Sequence, residues 1–238
     1  MNFENCLDKK KTEFESKLLN ARIVSIKNIS KGSIKCITEE CKKRGFDYAI
    51  SKVGLDQKEL INEMLNYGFE IFGSVIILKT RLGKEYEKNQ NIREYKVSDM
   101  KKLRQITKGA FPNVHWYHDK HFVKGDIDAL YIKWLENSCG GRAEIVLVYE
   151  KNGNILGYIA CNKRKNIGII DLIAVSGRAK RKGIGKALVN AAQNYFKKKN
   201  FEWMEVKTEL GNIGALNLYN KCGFRLEWAG LNINKWLK

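Results

Sequence analysis

The sequence lacks most of the features that would identify its chemistry at a glance. Its six cysteines, Cys6, Cys36, Cys41, Cys139, Cys161 and Cys222, include no CxxC pair and no histidine at zinc-site spacing. That excludes the common structural zinc motifs and predicts reduced, structural thiols with no bound metal. No apolar run approaches the roughly 20 residues that span a bilayer. The opening stretch MNFENCLDKKKTEFESK is polar and mixed in charge, unlike a signal peptide. A cytoplasmic location without a membrane partner is therefore expected. A P-loop is missing as well: in AKRKGIGKALVNAA, Gly185 is followed by Lys186 and Ala187, where that motif needs Lys and then Ser or Thr. Leu188 stands where a dinucleotide fingerprint needs its third glycine, so that motif is excluded too.

What is present is a chain of 238 residues, 44% hydrophobic, enough for one large domain or two modest ones. Lys and Arg number 44 against 26 Asp and Glu, a formal charge of +18. Such a balance fits a nucleic-acid partner, a lysine-rich solvated surface or an anionic small-molecule substrate. The lysines are spread along the whole chain and match no nucleic-acid module, which disfavours the first.

Hydrophobic periodicity divides the chain near the polar segment GKEYEKNQN. Before it, RIVSI, DYAIS and IFGSVIIL read as strands, with helices around CITEECKKRGF and QKELINEMLNYGF, closed by Gly45 and Gly68. The expectation is a small α/β domain over 1–84, a linker over 85–91 and a second domain over 92–238. In the second, Ser98 or Asp99 can cap a helix bearing Met100, Leu103 and Ile106. EIVLVYE and ILGYIACNKR flank Asn152 and Gly153 as a hairpin. IGIIDLIAV reads as a buried strand, followed by a basic turn with Gly183 and Gly185. A helix with Ile184, Leu188, Ala191, Ala192 and Tyr195 on one face comes next, then the strand FEWMEVKT. The helix of GNIGALNLYNKCGF is closed by Gly223, and a last strand lies near LEWAGLNINKWL.

A turn with glycines between cations and a helix start suits an anion, because the first helical amides have no intrahelical acceptors. Together, DLIAVSGRAKRKGIGKAL and GNIGALNLYNKCGF resemble the acetyl-CoA core of the GNAT superfamily of acyl-CoA N-acyltransferases, over about Ile92 to Lys238. The resemblance implies a mixed α/β fold, a central sheet with flanking helices, beside the smaller N-terminal α/β domain. It implies acetyl-CoA as cosubstrate, with the pyrophosphate at Lys180, Arg181, Lys182, Gly183, Ile184, Gly185 and Lys186. Lys180 stands at the family's Arg or Gln position. Backbone groups of Ile173 and Val175 would meet the pantetheine arm, and Asn212 matches a cofactor-contacting asparagine. Tyr219 matches the family's general acid, which protonates the departing thiolate.

The stretches AFPNVHWYHD, DALYIKWLENS, ILGYIA and VKTELGNIGALNLY are similar to TDP-fucosamine acetyltransferases and related enzymes acting on nucleotide-linked 4-amino sugars. That similarity implies direct attack by the sugar amine in a ternary complex, and a possible homodimer. His115, Trp116, Tyr117, His118 and Tyr131 would then line the acceptor site, while Trp134 reads as helix packing. Arg142 and Lys163 either meet the sugar diphosphate or are solvated charges. The related enzymes' candidate basic carboxylate falls here on Gly73. Glu70, His115, His118 and water remain as alternatives for the base. Another amine, such as an amino acid, polyamine, antibiotic or protein N-terminus, is the alternative acceptor.

Overall fold

The computed structural model describes residues 5–83 and 85–238, so Lys84, the last residue of the expected N-terminal domain, lies outside the described residues. The chain divides into two compact units. One comprises Met1–Val75, Asn113–Leu130 and Trp228–Lys238, and the other Ile76–Pro112 and Tyr131–Glu227. The division differs from the contiguous one expected at 85–91. Strands join by hydrogen-bond register rather than by sequence order, and the C-terminal strand pairs within the N-terminal unit.

In the first unit, strand β1 (Leu7–Asp8), helix α1 (Glu13–Leu18), strand β2 (Ile23–Ile26), helix α2 (Ile34–Lys43), strand β3 (Tyr48–Gly54) and helix α3 (Lys58–Asn66) follow in order. Strand β4 (Glu70–Arg81) begins there, and strand β10 (Arg225–Trp236) ends there. β2 and β3 are parallel, as a connection through a helix requires, and β1 pairs antiparallel with β2. The end of β10 closes this sheet antiparallel to β3, from Gly230 opposite Gly54 to Trp236 opposite Tyr48. Every residue of β2 is buried. Val24, Ile26, Ile34, Ile37, Cys41, Ala49, Met64 and Ile233 form the core that holds α2 and α3 to the strands.

The second unit contains strand β5 (Ile92–Glu94), helix α4 (Met100–Thr107), the end of helix α5 (Lys124–Asn137), and strands β6 (Ile145–Lys151), β7 (Asn154–Arg164) and β8 (Ile167–Val175). Helix α6 (Ile184–Lys198), strand β9 (Trp203–Thr208) and helix α7 (Ile213–Lys221) complete it. Its strand order is β5-β6-β7-β8-β9-β4. Pairing is antiparallel except between β8 and β9, which α6 joins as a parallel crossover. This is the expected mixed sheet with flanking helices. The β6–β7 hairpin turns on Asn152 (φ 50) and Gly153 (φ 71), positive at both central residues as a tight turn of this hand demands. Asp99 does not cap α4 with its side chain. It is buried and bound by both guanidinium nitrogens of Arg93, at 2.7 and 3.0 Å, and accepts from the Lys96 amide.

Candidate active site

The basic turn begins where β8 ends at Val175. A short 3-10 turn, Gly177–Ala179, is followed by Lys180 in extended backbone, Arg181 at φ 63 and Gly183 at φ 78. Gly183 precedes α6 without a side-chain cap, and the first turn of α6 carries no acid. From Arg181 to Lys186 no backbone amide has a hydrogen-bond acceptor among the described residues, the first bond being that of Ala187 to Gly183. Arg178, Lys180, Arg181, Lys182 and Lys186 surround this row of donors and are all exposed. Amides, helix dipole and cations thus act together on any anion placed there.

The two glycines have different reasons to be glycine. At Gly183 a Cβ would meet nothing within 4 Å, so the left-handed backbone is what requires it. At Gly185 a Cβ would lie 3.1 Å from Leu218, so the missing side chain lets α6 approach α7.

Upstream of the turn, β8 is only half covered by its parallel neighbour. Register with β9 runs from Ile167 opposite Trp203 to Ile170 opposite Val206 and stops. Pairing with β7 continues to Val175 opposite Gly157. From Asp171 to Val175 the edge facing β9 is therefore unpaired, and Ile173 and Val175 fall within that stretch. The opening coincides with a bulge, since Leu172 pairs with Ala160 and Ile170 with Cys161, leaving Asp171 as the extra residue.

Tyr219 lies on α7 with 3% of its surface exposed and its ring 5.7 Å from that of Phe224. Its hydroxyl makes no hydrogen bond among the described residues. Burial, with smaller effects of Cys161 and Cys222, pushes the phenol well above its usual range and keeps it protonated. Asn212 caps α7, its side-chain oxygen accepting from the Ala215 amide at 3.2 Å. Cys222 is buried, as expected of a core thiol, and its carbonyl accepts from Gln193.

Residues 101–224 match the acetyltransferase (GNAT) family. The chain belongs to the GNAT acetyltransferase family. The spore coat polysaccharide biosynthesis protein SpsD of Bacillus subtilis is 24% identical over 138 residues, 58% of this chain and 48% of SpsD. Streptothricin acetyltransferase A of the same organism is 30% identical over 106 residues, 44% of this chain and 53% of the relative. The chain spans about half the length of the curated relatives it matches. A GCN5-related N-acetyltransferase from Sphaerobacter thermophilus shares the fold, with a TM-score of 0.66 at 14% identity over 91% of this chain and 73% of that one.

Acetyl-CoA is the acetyl donor of the GNAT family. The residues of this GNAT chain fit such a donor: a diphosphate suits the unpaired amides and cations of the turn, and an extended amide-bearing arm suits the unpaired edge of β8.

The expected acceptor residues are less uniform. Trp116 is 3% exposed and packs against Tyr48 and Phe122 at ring distances of 6.4 and 5.4 Å, so it is core of the first unit, not a wall of a site. Tyr131, 8% exposed, is stacked 4.7 Å from Phe111 and meets Trp134 edge-on, which makes it core of the second unit. His115 lies against Trp116 at 4.5 Å, Tyr117 donates to Asp128 at 2.8 Å, and His118 is exposed. Lys163 is paired with Glu144 at 2.7 Å, together with Lys199, and these lysines hold the Glu144 carboxyl down at about 2. Glu70 and Gly73 both belong to the first-unit part of β4.

Two features are not anticipated from the sequence. One is Asp171, although it is the single charge in IGIIDLIAV and so carries a signal. The other is a network around Asp119, 1% exposed at its side chain. It accepts from the His121 amide and ring at 3.0 and 2.7 Å, from Trp236 at 2.9 Å and from Tyr48. Its partners lie as far as 117 residues away, so no local pattern announces them.

Proposed function

We propose that this chain transfers the acetyl group of acetyl-CoA to the amine of a nucleotide-linked 4-amino-4,6-dideoxy sugar, by direct attack in a ternary complex. The observation that carries the transfer reading is one continuous arrangement. The unpaired edge Asp171–Val175 leads into a turn of unsatisfied amides and cations, with a protonated phenol on the adjoining α7. When bound, the donor supplies an activated thioester carbonyl. Lys180, Arg181, Lys182, Lys186 and the amides of Arg181 through Lys186 hold its diphosphate. Ile173 and Val175 offer backbone groups to its arm, Asn212 its side-chain amide, and Tyr219 a proton to sulfur. Positioning both reactants accounts for the remaining acceleration.

The sugar acceptor is supported by the relation to a protein named for polysaccharide biosynthesis and by the charge of +18, which favours an anionic nucleotide over a cationic polyamine. The relation to streptothricin acetyltransferase A supports an antibiotic amine as the second reading.

Thiol release from acetyl-CoA, measured with dTDP-4-amino-4,6-dideoxygalactose, streptothricin, spermidine and a peptide, tests both readings. Release with the sugar nucleotide alone is the expected result. Release with streptothricin alone moves the acceptor to the second reading, and failure to bind acetyl-CoA overturns the transfer reading.

A further inference from the structure

The formal charge of +18 is not shared evenly. The second unit carries 27 Lys and Arg against 12 Asp and Glu, and the first 17 against 14, a net +15 against +3. A lysine-rich surface kept for solubility would charge both units, so the excess has a local cause. Part of it is the donor turn. Another part is the opposite end of the same sheet, and we infer that this end is a docking surface for an anionic lipid bilayer. The inference is independent of the transfer reading above.

Strand register defines the surface. Arg81 of β4 pairs with Trp203 at the start of β9, Trp203 with Ile167 at the start of β8, and Ile167 with Arg164 at the end of β7. Helix α6 ends at Lys198, shortly before Trp203, so its last turn arrives at the same end. Lys163, Arg164 and Lys165 of the β7–β8 hairpin thereby meet Lys197, Lys198 and Lys199. Lys163 and Lys199 join the two elements directly, sharing Glu144 at 2.7 and 3.0 Å. The donor turn follows Val175 at the other end of β8, roughly 26 Å away at about 3.3 Å per residue. That is about three times the ~8 Å screening length of physiological salt, so the two basic regions act separately.

The acids of this end lie beneath its cations. The Glu144 side chain is 14% exposed, against 54% and 50% for Lys163 and Lys199, and Glu205 is 13% exposed against 60% for its partner Arg164. An approaching surface therefore meets positive charge first. Lys165, Lys197 and Lys198 have no ion pair among the described residues. Lys165 sits in the hairpin turn at φ 51, a conformation that favours glycine or asparagine, so turn geometry does not account for a lysine there. The dipole of α6 accounts for cations at its own end but not for those of the hairpin. The exposed acid Glu202 lies on the β4 side, where its carbonyl accepts from the Leu82 amide.

Nucleic acid is held by backbone amides, arginine forks and stacked rings. Here α6 presents its carbonyl end, and the amides of Lys199, Asn200 and Phe201 are already bonded to that helix end. Phe201 packs on Phe196 at 5.0 Å and Trp203 lies under Lys79 at 4.7 Å, so both rings are engaged. The one arginine of the six cations is tied to Glu205. What is left is a set of compact lysine charges on flexible stems, which suits a diffuse negative plane such as a charged leaflet. No helix among the described residues is long and apolar enough to cross a membrane, and a surface contact of this kind needs none.

Vesicle flotation of the full chain tests the surface. It should bind vesicles of phosphatidylcholine with about one-third phosphatidylglycerol, and not vesicles of phosphatidylcholine alone. Raising salt from about 0.1 to about 1 M shortens the screening length from about 10 to about 3 Å and should release it. Lys165→Gln, Lys197→Gln and Lys198→Gln together should lower partitioning about a hundredfold, each lysine contributing about fivefold. The midpoint of urea unfolding should stay at the wild-type value, which separates lost docking from lost folding. Lys180→Gln with Arg181→Gln, at the donor turn, should leave partitioning near wild type. Absence of binding to the anionic vesicles, equal binding to neutral ones, or an equal or larger loss in the turn variant than in the triple variant overturns the inference. Displacement from the vesicles by short duplex DNA or single-stranded RNA at matched phosphate concentration overturns it as well, and assigns the surface to nucleic acid.

Discussion

The network around Asp119 in the first unit and the opening around Asp171 in the second show how differently one chain treats a carboxylate. Asp119 is buried and saturated: the side chains of Tyr48 and Trp236, and the backbone amide and ring Nδ1 of His121, donate to it. Asp171 is accessible, with one side-chain hydrogen bond, beside strand edges and amides that have no partner among the described residues. Saturated polar groups build a structure, because leaving any of them unpaired in the interior costs about 1–3 kcal/mol. Unsaturated ones at a surface cost little and are free to meet a ligand. Richness in aromatic and titratable residues, as in HWYHD, does not separate the two cases; the state of the hydrogen bonds does.

The largest test of that contrast is Asp119→Ala. It strands the Trp236 ring nitrogen and the Tyr48 hydroxyl in the interior, and we expect a loss of about 4 kcal/mol, read as a lowered midpoint in urea unfolding. A loss below about 1 kcal/mol would show that the network is not structural.

Next in size is Tyr219→Phe, expected to lower kcat about a hundredfold, about 2.7 kcal/mol of transition-state stabilisation. Because the hydroxyl makes no hydrogen bond among the described residues, stability should stay within about 0.5 kcal/mol of wild type. Wild-type turnover would remove Tyr219 from the reaction, and a large loss of stability would place it on the Asp119 side of the comparison.

Gly183→Ala comes third. At φ 78 a Cβ is strained though unobstructed, so a stability loss of about 1 kcal/mol is expected, with acetyl-CoA binding weakened in isothermal titration. Unchanged affinity would move the diphosphate away from the turn.

Much of the second unit is legible in the sequence because its signals are local. The order of an apolar strand, a basic glycine turn and an amphipathic helix is written in consecutive residues, and Gly183, Asn152 and Gly153 adopt the conformations their identities suggest. Trp116 and Tyr131 defeat the expectation of an acceptor wall because an aromatic side chain has the same sequence signature in a core as in a binding site. Only the partners decide, and Tyr48 lies far from Trp116 in the chain. The closing of the first sheet by β10 is hidden for the same reason: pairing from Gly230 to Trp236 against β3 depends on register over nearly the whole chain. Asp171 is different. A lone carboxylate in an apolar strand costs stability unless something compensates, and the residues of IGIIDLIAV display that conflict by themselves.

The smallest effect follows from that conflict and sets the two carboxylates against each other in sign. Burial opposes ionisation of Asp119, but the donors from His121, Tyr48 and Trp236 outweigh it and hold its carboxyl below the usual 3.8. Its contribution is therefore present above the unfolded pKa and lost as pH falls through the folded one. Asp171 is raised above 3.8, chiefly by desolvation. The folded state tolerates its neutral form better, so stability is greatest below the unfolded pKa and declines as pH climbs through the folded one. Replacing it with Asn removes that decline. Asp171→Asn should match wild type in thermal unfolding at pH 3 and become the more stable protein by a small margin at pH 7. Replacing Asp119 with Asn should do the reverse, with a clear cost at pH 7 that shrinks as pH falls through the lowered folded pKa. If Asp171→Asn were instead destabilised at pH 7, its carboxylate would be a structural group like Asp119, and the contrast between the two regions would collapse.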